Sequence, residues 1–344
     1  MLGRGGLSMF SQRGAGGPPD PSAGYALYLD FKNSLYRSGS TKSAAISAMP
    51  GYSMTQTGAA SEVPLVAGTP LAFGVNTPRI VPGVGYWARA ATTNLLLNAG
   101  AATTLGTQTT AALTAAPYTI YFEGTGSVAL SGSFTGSLAG TGVNNMVALT
   151  FTPTAAALTV TVTGSVTYAG LVLGAFPAGS AIIATAGATA GIGADALTTT
   201  ANPYTTDQGF IIWGVVNFGE APVATHFDPA FVIGANGIYA YRDTSGLLQV
   251  FANGGTKSSG VTVAGTGRAV IMYRRKAGID TAAVKVGSTV TIGSSFTLAW
   301  VAPTTALAVG TLVGSDLLNG NVEGVFAQTG TFSDAQITTI LTAA

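Results

Sequence analysis

The sequence predicts an all-β protein: an extended N-terminal arm followed by two antiparallel β-sandwich (jelly-roll) domains. Three observations carry this. Short runs rich in Val, Ile, Thr, Tyr and Phe recur about every ten residues with Gly turns between them, the pattern of sandwich strands. Two such series flank a small-residue stretch over 176–203, with a repeated ATAGATAG. Only one segment, Phe332–Leu341, carries the period of a helix.

Taken in order, residues 1–24 are rich in Gly and Pro and do not fold alone. They read as an extended docking arm, with Leu2, Leu7, Met9 and Phe10 as apolar anchors and Arg4 and Arg13 as charges. A frayed tail is the plainer alternative. YALYLDF, residues 25–31, alternates as a first strand. The MPG and AGTP turn signals that follow are loop-like, so 25–98 is expected to be an irregular wrapping segment and junction.

The stretch Asn76–Asn98 gathers charge and aromatic rings in a chain that has few of either. Pro78 and Pro82 hold the residues before them extended. Arg79, Tyr86, Trp87 and Arg89 are the expected domain-junction residues. Trp87 beside Arg89 suits a cation–π contact. Alternatively, the rings plug the junction and the arginines cap carbonyls or pair with an acid.

The first sandwich is placed over 99–180, with strands at 118–123, 127–134, 146–151, 157–163 and 166–173. The second spans 181–344. Its strands are expected at 209–218, 229–234, 237–242, 246–252, 268–274, 282–286, 296–301, 306–313 and 321–328, with a hairpin turn at Asp243–Gly246. A short helix closes the chain. Ser333 is its N-cap, Gln336 completes a capping box, and Ile337, Ile340 and Leu341 share one face.

Composition narrows the function classes. The 344 residues are 47% hydrophobic but only 8% charged, and the net charge is +1. That charge share is about a third of the usual one. The surface must therefore be largely Ser, Thr, Gly and Ala, which fits a chain held in an assembly or an adhesin. Net charge near zero argues against a nucleic-acid partner. The absence of cysteine removes disulfides and thiolate metal sites. No run of 18 apolar residues predicts membrane insertion, and the N-terminus lacks the apolar core of a signal peptide.

No catalytic constellation stands out, and no metal or cofactor is expected. The single histidine, His226, has no nucleophile or ligand at a telling spacing. Thirteen acids are scattered without a spacing that marks a glycosidase pair. Arg274-Arg275-Lys276 reads as a solvated strand end. The candidate binding residues are the rings Trp213, Tyr239, Tyr241 and Trp300, which would stack on sugars. Their alternative is core packing, since they sit within strands.

Three pieces carry a resemblance. NTPRIVPGVGYWARAATTNLLLNAG is similar to the "PR…G…E…TNLL" junction of phage tail-fibre and virion-surface proteins. VTYAGLVLGAFPAGSAIIATAGATAGIGADAL resembles their connector. Leu318 onward, LNGNVEGVFAQTGTFSDAQITTIL, resembles the closing strand and helix of a concanavalin A-like lectin sandwich of the LamG or pentraxin type. The resemblance implies a carbohydrate-binding-module-like sandwich over 99–180 and a lectin-like one over 181–344. It implies a structural virion protein on the particle surface, made in the bacterial host cytoplasm. Such a protein would be a homotrimer that meets capsid or tail proteins through its arm and host-surface polysaccharide through its sandwiches. A polysaccharide-degrading tail spike is the alternative.

Overall fold

A computed structural model describes residues 20–56, 61–63, 71–88, 92–99, 105–174, 182–192, 195–200, 209–219, 227–233, 237–252, 255–276, 278–297, 306–312, 316–318 and 320–344. The described chain is nearly all strand, in antiparallel sheets, with one α-helix. The arm residues Leu2, Arg4, Leu7, Phe10 and Arg13 lie outside the described residues, as do Arg89, His226 and Trp300.

The larger sandwich packs an eleven-stranded sheet on a seven-stranded one. In the first sheet, Phe210–Phe218 lies between Gly267–Lys276 and Gly320–Thr329. Leu27–Asp30 pairs with the far side of Gly320–Thr329 and carries Leu35–Ser38 at its outer edge. Gly85–Ala88 also joins Gly320–Thr329. The seven-stranded sheet runs Gly255–Thr262, Leu247–Ala252, Ile238–Arg242, Asp228–Ile233, Leu307–Val309, Ala196–Thr199 and Ser53–Thr55. Leu29, Phe31, Tyr36 and Tyr86 share one core with Ile212, Phe231, Val250, Ile271 and Val325.

This corrects the reading of 25–98 as an irregular wrapping segment. Leu27–Asp30, Leu35–Ser38, Thr41–Ser43, Ile80–Val81 and Gly85–Ala88 join the eleven-stranded sheet and Ser53–Thr55 the seven-stranded one. Leu27–Asp30 is buried along its whole length, so it is an inner strand. The remaining strands in this part are only two to four residues long. Such short strands carry too few alternations for the period to register.

The smaller sandwich is inserted between Gly85–Ala88 and Ala196–Thr199. Four strands, Gln108–Ala112, Ala157–Thr163, Ser127–Gly132 and Gly136–Ala139, face three, Gly142–Phe151, Tyr118–Gly124 and Thr167–Leu173. Ile120, Phe122, Val128, Leu130, Leu158, Val160 and Leu171 fill the space between them. The two connections to the larger sandwich, Thr92–Asn94 and Ala190–Ile192, pair as a two-stranded ribbon. The insert therefore begins and ends at one place.

Helix α1 (Asp334–Ala343) has the expected capping box, with the Ser333 side chain accepting from Gln336 N–H and Gln336 reaching back to the Ser333 N–H. Its buried face, Ile337, Ile340 and Leu341, covers Ile211, Trp213 and Met272 on the outside of the eleven-stranded sheet. Arg274 and Arg275 are not solvated. Arg274 pairs with Asp334 at the start of the helix, and Arg275 grips Asp280 with two hydrogen bonds of 2.8 and 2.9 Å. The two arginines of the basic run are therefore buried and tied to acids, which corrects their reading as a solvated strand end.

Candidate functional site

Strand alternation sorts the expected sugar-stacking rings. Trp213 is only 2% exposed and lies under α1, against Tyr25 and Phe326 at ring separations of 5.7 and 5.6 Å. It is a core residue. The physical reason is that both faces of its sheet are covered, one by the other sheet and one by the helix.

Tyr239 and Tyr241 are placed differently. They project from the outer face of the seven-stranded sheet, while Ile238, Ala240 and Arg242 between them point into the core. Tyr239 stacks on its cross-strand partner Phe251, with centroids 5.0 Å apart and planes within 10°. Tyr241 meets Phe227 at 5.2 Å, and Phe227 is 38% exposed. These four rings form a half-exposed aromatic strip. Cross-strand aromatic pairs of this kind stabilise a sheet face by roughly 0.2–1 kcal/mol each.

A polar relay borders the strip. The Tyr241 hydroxyl donates to Gln249 Oε1 at 3.1 Å, and Gln249 Nε2 donates to Asp243 Oδ2. The other Asp243 oxygen accepts from Ser245 N–H, Ser245 hydroxyl and Leu247 N–H at 2.7–2.9 Å. Burial alone would raise the Asp243 carboxyl, but these hydrogen bonds outweigh it and hold the group below the usual carboxylate range. Burial pushes the Tyr239 and Tyr241 phenols upward, so both stay neutral donors. Phe227, Gln249 and Phe251 were not anticipated from the sequence. The signal for two of them was the L-Q-V-F alternation of Leu248–Phe251, which sets Gln249 and Phe251 on one face.

The junction residues are gathered where the insert joins. Arg79, 1% exposed, forms a buried ion pair with Asp195, at the end of the return connection. Tyr86 is wholly buried in the large core, and Trp87, opposite Asn321, is half-buried. Asn94 was not singled out, yet its side chain ties four backbone groups at the junction. Its amide nitrogen donates to Ala169 O at 3.0 Å and Ile183 O at 2.8 Å, and its oxygen accepts from Leu96 N–H and Leu171 N–H.

Three acids of the larger sandwich, Asp228, Asp280 and Glu323, are committed to internal partners. Asp228 pairs with Arg242 at 2.6 Å, whose guanidinium lies 4.1 Å over the Phe218 ring. Asp280 holds Arg275 and accepts from the Tyr273 hydroxyl at 2.5 Å. Glu323 is held by Arg268 and Asn217, each at 2.9 Å. Among the described residues, no group of three or more His, Asp or Glu side chains is arranged to hold a metal ion. No protein-family model matches the sequence, and no curated protein matches it.

Proposed function

We propose that this chain is a structural phage virion protein, a tail fibre, head fibre or decoration protein. Residues 1–24 dock it to the particle, and its β-sandwiches turn outward to attach to host-surface glycans. The observation that carries the glycan half is the strip of Phe227, Tyr239, Tyr241 and Phe251, bordered by Gln249. Half-exposed rings beside neutral hydrogen-bonding groups suit sugars, whose ring faces are apolar and whose rims are hydroxyls. The low charge and the resemblance in the junction and the closing strand support the virion half.

The test is a glycan array probed with the full chain. At least one glycan is expected to be retained, and Phe251→Ala should lower its retention by roughly tenfold, the worth of one aromatic contact. Retention of no glycan, or retention untouched by that change, would overturn the attachment reading. For the docking half, protein lacking residues 1–19 should fold but stay off assembled particles.

A further inference from the structure

We infer that the ligand of this strip is an uncharged polysaccharide lying across three neighbouring strands, an inference that rests on the glycan-attachment reading above. Strand register sets two parallel rows on the outer face. Tyr239 lies opposite Phe251, which lies opposite Thr256. Tyr241 lies opposite Gln249, which lies opposite Ser258. The rows are about 7 Å apart along the strands, and each spans about 10 Å across them. That is a shallow, elongated platform rather than a pocket, suited to a stretch of chain rather than a terminal sugar.

The chemistry of the rows is neutral throughout: three aromatic rings, one amide and two exposed hydroxyls. The hydroxyls of Thr256 and Ser258 both donate and accept, as sugar hydroxyls do. The charge in hydrogen-bond contact with the rows is Asp243, at the hairpin tip beside Gln249. Two cations lie close in sequence: Lys257 stands between Thr256 and Ser258 but at the register of core-facing Val250, out of phase with the rows, and Arg242 is turned to the core by alternation. Arg242 is wholly buried and committed to Asp228 and to the carbonyl of Gly265 at 2.7 Å. An acidic sugar laid on the platform would therefore meet a fixed carboxylate and no cation at the positions of the rows themselves. A neutral one meets ring faces and hydroxyls alone.

The experiment is native affinity electrophoresis of the full chain through gels holding neutral or acidic polysaccharides, at low salt and with added salt. The neutral set comprises dextran, galactomannan and a mixed-linkage glucan; the acidic set comprises hyaluronate, alginate and polysialate. Retardation by a neutral polymer, unchanged by salt, with none by the acidic set, is the expected result. Retardation by an acidic polymer as strong as by any neutral one would overturn this inference and leave glycan attachment standing. Retardation by no polymer in either set would overturn both. Thr256→Lys, at an exposed position, should improve migration-shift affinity for an acidic polymer by about two- to fivefold, the range of one exposed ion pair. A Thr256→Lys protein that still ignores acidic polymers while holding neutral ones would show that charge is not what excludes them, which sinks the argument.

Discussion

Asn94 makes four hydrogen bonds from one buried amide and joins the ribbon, the insert and the strand Ile182–Ile183. Replacing it by alanine strands two backbone N–H groups and two carbonyls at the junction. Each buried orphan costs about 1–3 kcal/mol, so Asn94→Ala should lower unfolding free energy by at least ~2 kcal/mol in denaturant titration. Unchanged stability would show that the junction is held elsewhere. Charged residues act with a clear sign. Asp20 is held at about 2 by hydrogen bonds from Ser22 and Lys42, and Asp243 and Glu323 also lie below their usual values. Depressed carboxyls contribute stability above their unfolded values, near 4, and lose it as pH falls through the folded ones. The melting temperature should therefore be flat between about pH 5 and about pH 9 and drop between about pH 4 and pH 2. A thermal scan in which stability rises on acidification would contradict these partners.

Helix α1 forms by local chemistry, although the face it covers comes from distant strands. Its capping box satisfies N–H groups that the first turn leaves free, and its apolar face then covers Trp213. Ser333→Ala should cost about 1 kcal/mol and show first as faster amide exchange in the last ten residues, with the sheets unaffected. The strand Gly85–Ala88 depends on its neighbours instead. Gly85 has φ +132°, and a Cβ there would lie 2.5 Å from Val322 O. Only glycine lets that strand close onto Gly320–Thr329. The Asp243–Gly246 turn is likewise set by its residues. Asp243 caps the loop and Gly246 takes φ +87°, which aligns Leu247–Ala252 with Ile238–Arg242 and so fixes the rows of the strip.

At the scale of the molecule, one sandwich sits inside the sequence of the other. Because Thr92–Asn94 and Ala190–Ile192 lie side by side, residues 95–189 should be replaceable by a short turn. The shortened protein is expected to fold, keep its near-ultraviolet tyrosine signal and bind the same glycan as the full chain. Loss of folding would mean that the insert supplies part of the larger core. A folded protein without binding would move the glycan site to the insert.

What the sequence determined by itself is what short-range chemistry controls. The all-β class follows from the recurring β-branched runs, the helix from Ser333, Gln336 and its apolar face, and the hairpin from Asp243 and Gly246. Leu27–Asp30 was also readable, because the apolar and aromatic run YALYLDF extends beyond its four residues on both sides. Tertiary structure decided the rest. The strands Ser53–Thr55 and Gly85–Ala88 take their places in the sheets from partners more than a hundred residues away, so no local pattern marks them. The same distance separates Trp213 from Tyr239 in fate. Both are aromatic residues in strands, but a helix from the far end of the chain covers one face and leaves the other open.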